Sequence, residues 1–189
     1  MRADPVVAHW AWNDGGWASP YNTNNELFGC GVIDFAGSGV VHVTGGMAAL
    51  VGIFVLGPRA GKFNEDGTNN TMPQQSAVLS TLGTFILWWG WLGFNGGSVS
   101  SFAAMPDVAA RVMVVTIIGG ASGGISSLVL HKFQCGWWDT VNANNGILSG
   151  LVSITAGAST LEPEGAFVVG AMGGLVYFLS SNFLLKIHV

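Results

Sequence analysis

The chain has 189 residues, of which 50% are hydrophobic and only 8% are charged, whereas a soluble domain carries roughly 25% charged residues. Its net charge of −4 offers no basic patch and excludes nucleic acid as an expected partner. Cys30 and Cys135 have neither metal-site spacing nor the pattern of a disulfide framework. Composition therefore predicts a membrane protein, with 29 glycines available for close packing of helices.

Apolar segments and polar breakers alternate along the chain. A partial apolar segment ends near Trp12, and five more follow at residues 35–56, 76–94, 108–130, 145–158 and 166–187. Most reach the ~20 residues that a spanning helix needs, and the fourth is shorter. The expected fold is an all-α, polytopic transmembrane helix bundle with about five full spans plus one partial span.

Charge predicts how the bundle is oriented. If the helices alternate in direction, the cations that follow the spans share one side, and an excess of Lys and Arg marks the cytoplasmic face. These cations are Arg59, Lys62, Lys132 and Lys186. The opposite side then carries carboxylates, with Arg111 as an exception; they are Glu26, Asp34, Asp107, Glu162 and Glu164.

Small residues predict where helices touch. Gly45 with Ala49, and Ala48 with Gly52, are each four apart on the first span, which predicts contacts of the small-xxx-small type. The third and fifth spans repeat the pattern at residues 119–124 and 170–174. A tightly packed bundle is therefore expected.

His42 lies inside the first full span, eight residues after Asp34. At ~1.5 Å per helical residue it lies about 12 Å along the helix, near the middle of a bilayer core. It is either a buried imidazole hydrogen-bonded to a neighbouring helix or a pore-lining proton donor and acceptor, and spacing alone leaves both interpretations open. Asp34, at the start of the span, suits a helix-capping carboxylate.

Aromatic residues also have two interpretations. Trp12 and the run from Trp88 to Trp91 fit an interfacial belt. Trp91, Phe94 and Ser98 are spaced by three and four, so they share one helical face. Aromatic faces attract cations, and a hydroxyl beside them can accept an N–H, so this set also suits a small ammonium-like ion.

Three sequence blocks resemble the ammonium transporter family (Amt/Mep/Rh type). They are DFAGSGVVH at residues 34–42, continuing to the Gly-Pro-Arg at 57–59; GWLGFNGGS at 90–98; and NGILSGLVSITAG at 145–157. The Gly-Pro-Arg loop with its polar insertion looks most like plant and algal members. The resemblance covers the whole chain, 1–189, as a partial transporter domain corresponding to roughly the fourth through ninth helices of the family fold.

The resemblance implies a fold, a function and site residues. Family members are homotrimers of eleven-helix subunits, each with its own narrow pore for ammonium or ammonia. Trp12 and Ser98 match an external recruitment site that Asp34 supports without direct contact. Phe94 matches one ring of a phenylalanine gate, and His42 matches the first of two pore histidines. Trp91 and Thr155 match positions beside the pore wall.

The same resemblance predicts a central fragment, because the partners of Phe94 and His42 belong to helices that are not in this chain. We therefore expect the 189-residue chain alone not to move methylammonium, an ammonium analogue. The alternatives are an ammonium-sensing receptor on the same scaffold, a non-transporting truncated fragment, and a membrane enzyme. We predict no enzyme, cofactor or metal site, because GxSxG, phosphate-loop and HExxH motifs are missing. We expect a multi-pass membrane protein located in the plasma membrane.

Overall fold

The computed structural model describes residues 3–23, 27–101 and 103–188, so the predicted outer carboxylate Glu26 lies outside the described residues. One π-helical turn, Ser38–Val43, runs directly into the second α-helix. Within the described residues there are six α-helices, in chain order α1 (Ala3–Trp12), α2 (Thr44–Leu56), α3 (Ala77–Gly97), α4 (Pro106–Cys135), α5 (Thr140–Thr155) and α6 (Pro163–Lys186).

Four of these helical stretches are long and apolar enough to cross a membrane, counting only the described part of the chain. They are Ser38–Leu56, Ala77–Gly97, Pro106–Cys135 and Pro163–Lys186. The fourth expected span, α5, has 16 residues and is short, as its sequence predicts. The all-α, multi-pass architecture is confirmed.

Local sequence explains where the helices begin and end. The side chains of Ser76 and Asp139 accept backbone N–H groups at the starts of α3 and α5, which satisfies donors that the helix itself leaves unpaired. Gly57 and Gly136 end α2 and α4 with positive φ angles of 74° and 87°, a conformation that glycine adopts without strain.

The packed centre consists of α4, α5 and α6, and the predicted glycine contacts on α4 and α6 are confirmed. A methyl group at Gly123 would lie 2.5 Å from the carbonyl oxygen of Gly146 on α5. Gly119 and Gly123 of α4 face Gly170 and Gly174 of α6 in the same order, so α4 and α6 run parallel. Helix α5 packs against both and runs antiparallel to them.

The predicted contacts on α2 were wrong for the described part of the chain. A methyl group at Gly45, Gly46 or Gly52 would meet no atom within 4 Å. The small residues are there, but no described helix packs on that flank. The sequence pattern identifies a surface that permits close approach, and it does not identify the surface that approaches.

The ends of the bundle sort the charges as predicted. Phe63 and His188 contact each other with ring centroids 4.6 Å apart, and Asn182 donates to Gln134 at 3.2 Å. These contacts bring the C-terminal ends of α2, α4 and α6 together, and with them Arg59, Lys62, Lys132 and Lys186. At the other end, Arg111 forms an ion pair with Glu162 at 3.2 Å.

Candidate functional site

Asp34 organises the entry of the chain into the first span. One carboxylate oxygen accepts the backbone N–H groups of Gly37 and Ser38 at 3.0 and 2.8 Å. The other accepts those of Gly39 and Val40 at 2.9 and 2.8 Å. With four donors bound and only 5% of the residue exposed, this carboxylate is fully used as a helix cap. The capping role predicted from sequence is confirmed.

Directly after this cap, the chain forms its π-helical turn. The N–H of His42 bonds to the carbonyl of Gly37, five residues back, at 3.1 Å. Gly37 has a φ of 103°, so a residue with a side chain would be strained there. π-Helical turns are rare and often occur at functional sites. Here the turn sets the direction in which the His42 side chain leaves the helix.

Ser38 fastens the same turn to the end of α5. Its hydroxyl donates to the carbonyl of Val152 and accepts the N–H of Ala156. Next to it, the N–H of Phe35 donates to the carbonyl of Ala156 at 3.0 Å. Sequence reasoning missed Ser38, because both of its partners lie more than 100 residues away in the chain, where no local pattern points to them.

A cavity of about 390 Å³ brings together Trp12, Asp34 and Ser98, the three residues predicted for ammonium recruitment. Tyr21, Phe35, Ser100 and Ser159 also line it. We call it the Trp12 cavity. The indole N–H of Trp12 donates to the main-chain carbonyl of Asp34 at 2.7 Å. This bond fixes the ring edge, and the residue remains 42% exposed, so part of the ring surface is free to contact a ligand.

Ser98 joins the cavity to the aromatic cluster. It caps the end of α3, and its hydroxyl donates to the carbonyl of Phe94 at 2.9 Å. Because the hydroxyl hydrogen is used in this bond, the oxygen lone pairs are left to accept a hydrogen bond from a ligand.

Phe94, His42 and Trp91 form that cluster. The imidazole of His42 stacks on Trp91 with centroids 4.8 Å apart and an angle of 23°, and it contacts Phe94 at 5.4 Å. The Trp91 N–H donates to the hydroxyl of Thr155 at 3.0 Å, which holds the indole in place. The Nε2 atom of His42 is buried and has no hydrogen-bond partner among the described residues.

All seven predicted site residues therefore belong to one continuous set. Contacts lead from the cavity through Ser98 to Phe94, and from there to His42, Trp91 and Thr155. Of the two interpretations of His42, the structure disfavours a histidine hydrogen-bonded through Nε2 to another described helix. The roles of the seven residues in handling a ligand stay predictions.

The described chain is thus an all-helical, multi-pass bundle in which the Trp12 cavity lies next to a cluster of aromatic side chains and a histidine, as in a polytopic membrane protein. The chain belongs to the ammonium transporter family: the family's sequence model, described as Ammonium Transporter Family, matches residues 3–189.

Named relatives agree. The chain is 42% identical over 184 residues to ammonium transporter 1 member 4 of Arabidopsis thaliana, covering 91% of this chain and 36% of the relative. It is 45% identical over 175 residues to ammonium transporter 1 member 3 of Solanum lycopersicum, covering 88% and 38%. The chain thus spans little more than a third of the length of these relatives.

Solved structures give the same fold. A protein described as a sensor Amt protein superposes with a TM-score of 0.85 at 35% identity, covering 98% of this chain and 44% of that one. Saccharomyces cerevisiae Mep2 superposes with a TM-score of 0.77 at 32% identity, covering 96% and 38%.

Proposed function

We propose that this chain forms part of an ammonium transporter subunit, in which the Trp12 cavity recruits ammonium and the cluster of Phe94 and His42 passes ammonia or ammonium onward. The observation that carries the proposal is the single cavity lined by Trp12, Asp34 and Ser98, which connects through the Ser98–Phe94 hydrogen bond to His42. The identity of the substrate in this proposal comes from relatives that are named ammonium transporters.

The cavity has the chemistry to prefer ammonium over potassium. The free face of Trp12 attracts a cation by about 0.5–2 kcal/mol. Potassium receives the same attraction, but it has no N–H to donate to the Ser98 oxygen. Asp34 supports the site indirectly, because its carboxylate is fully occupied by backbone N–H groups while its carbonyl holds the Trp12 indole.

Beyond the cavity, a full charge loses solvation that the apolar side chains cannot replace. Release of a proton near Phe94 would leave neutral ammonia to pass. His42 suits a role next to this step, because its Nε2 is free of described protein partners and its ring orientation is fixed by Trp91. It can then hydrogen-bond the passing molecule or relay its proton.

A chimera tests the proposal. Residues 3–189 replace the matching segment of Arabidopsis ammonium transporter 1 member 4, which supplies the rest of a full-length subunit. We expect the chimera to take up labelled methylammonium in yeast cells that lack ammonium transporters. If the chimera folds and reaches the membrane but gives neither uptake nor an ammonium-dependent current, the transporter function is contradicted.

Within the chimera, His42→Ala should change flux or the discrimination between ammonium and potassium far more than folding. His131→Ala is the matched control, because His131 also has a buried Nε2 without a described partner and contacts a tryptophan, Trp137, at 5.7 Å. Unchanged transport and discrimination in His42→Ala would remove His42 from the mechanism.

An ammonium-sensing function is the second candidate, and the similarity to the sensor Amt protein favours it. Ammonium binding by the chimera without uptake or current would support sensing. For the 189-residue chain alone we expect no uptake, and robust uptake would contradict the interpretation that it is a fragment. We further propose a homotrimeric assembly in the plasma membrane, which crosslinking and surface labelling of the chimera can test.

A further inference from the structure

Asn95 is a buried polar residue that the site described so far does not use. It follows Phe94 on α3, and its side chain is fully buried, with 0% exposure. Its amide nitrogen donates to the hydroxyl of Thr116 on α4 at 3.0 Å. The Thr116 hydroxyl in turn donates to the carbonyl of Val112, one turn earlier on α4, at 2.6 Å. Among the described residues, this is the one side-chain hydrogen bond that joins α3 to α4.

An amide side chain at this position costs stability. Its Oδ1 atom is buried and has no hydrogen-bond partner among the described residues. A buried polar atom without a partner lowers stability, and an apolar side chain of similar volume avoids that loss. The presence of an amide therefore indicates that its bond to Thr116 supplies something that leucine at this position would not, namely a fixed orientation between two helices.

The position of Asn95 shows what that orientation controls. It lies four residues after Trp91 and three before Ser98, so all three share one face of α3. Helix α3 supplies Trp91 and Phe94, both in contact with His42. A small rotation of α3 would move these rings relative to His42, while Ser98 would move relative to the Trp12 cavity.

We propose that Asn95 is a positioning residue: its hydrogen bond to Thr116 fixes the rotation of α3, and thereby the distances from Trp91 and Phe94 to His42 and from Ser98 to the Trp12 cavity. This inference rests on the proposed function for its effect on transport, but its structural part stands independently.

The structural part is tested on the 189-residue chain in detergent micelles by NMR of ring-labelled histidine. The chain has four histidines, so the spectrum is simple, and His42→Gln assigns the His42 signal. In Asn95→Leu, Thr116 remains satisfied through Val112, so we expect the fold to persist. The His42 signal should shift, because its ring stacks on Trp91, while the other three signals stay in place.

Two further variants sharpen the result. Thr116→Val should move the His42 signal in the same direction, and Thr116→Ser, which keeps the hydroxyl, should restore the native position. Ser126→Ala is the matched control, because it removes an inter-helix bond from α4 to the carbonyl of Ala171 (2.9 Å) away from the cluster. An unmoved His42 signal in both Asn95→Leu and Thr116→Val, or a shift of all four signals, would overturn the proposal.

The transport part uses the chimera. A lost inter-helix hydrogen bond in a membrane corresponds to a change of about three- to fifteenfold in an equilibrium constant. We expect Asn95→Leu to raise the KM for methylammonium within this range at unchanged surface abundance, and Ser126→Ala to leave KM unchanged. A native KM together with a native maximal rate would contradict positioning, and so would a fall in uptake that only follows a fall in surface abundance, which marks a merely structural role. If the unsubstituted chimera shows no uptake, the proposed function fails, and the NMR result still decides this inference.

Discussion

Replacing Asp34 by alanine removes the acceptor of four backbone N–H groups at once, and burial decides how much each loss costs. The N–H groups of Gly37 and Val40 are buried with the carboxylate, so they cannot turn to water. Those of Ser38 and Gly39 are only partly buried and can be hydrated. Each buried donor left without a partner costs about 1–3 kcal/mol. The two together predict a loss of about 2–6 kcal/mol.

This loss is a large share of the 5–15 kcal/mol by which folded proteins are typically stabilised. We therefore expect Asp34→Ala to unfold at a markedly lower temperature, measured by circular dichroism in detergent. Asp34→Asn keeps one acceptor oxygen and should fall between alanine and the natural residue. Asp66 is the matched control: it also accepts a backbone N–H, from Thr68 at 2.9 Å, but in an exposed loop. Asp66→Ala should leave the transition unchanged.

An Asp34→Ala protein with the same melting temperature as the natural chain would refute the reasoning. The carboxylate would then be unnecessary for the turn that bears His42. A direct contact between Asp34 and the ligand would become the better explanation for any loss of transport.

Three further outcomes follow from the structure. Gly150→Ala drives a methyl group into a backbone carbonyl of α4 and should cost about 1–3 kcal/mol of unfolding free energy, whereas Gly52→Ala meets no neighbour and should not destabilise, as thermal melts can check. Thr155→Val leaves the Trp91 N–H without its acceptor and should shift the Trp91 indole signal in NMR; an unshifted signal would refute the anchoring role. Burial raises the pKa of Asp139, but hydrogen bonds from the Asn142 side chain and from the backbone outweigh it and hold this pKa below its usual value. Its contribution to stability is therefore present above about pH 4 and lost on further acidification, so Asp139→Asn should reduce the difference in melting temperature between neutral and acid pH.

Much of the fold could be predicted because membrane helices can be recognised in a sequence by their length and apolarity. The segment predicted at 76–94 is α3 at Ala77–Gly97, and that at 166–187 is α6 at Pro163–Lys186. The glycines of α4 and α6 also identified their interface correctly. Helix α2 carries an equally clear pattern, yet no described helix covers it, because the pattern contains no information about the partner.

The site, like the fold, has a part that could be predicted from the sequence and a part that could not. Asp34 could be predicted as a cap, because its role depends on residues next to it in sequence. The anchoring of Trp91 by Thr155 and the clamp of Ser38 on α5 join residues 64 to 118 positions apart. No local pattern reports such distances. The resemblance to the family identified Thr155, and Ser38 was missed because it entered no motif as a functional residue.

The attachment of α2 has a mechanical consequence. Its N-terminal side is tied down by the Asp34 cap and by the bonds of Ser38 to α5, while Val55 and Leu56 at its far end are 80% and 85% exposed. The helix is therefore held most firmly beside His42, whereas the contact described at its far end comes from the loop that follows, where Phe63 meets His188. A displacement of the C-terminal half of α2 would thus move the imidazole less than it moves Leu56.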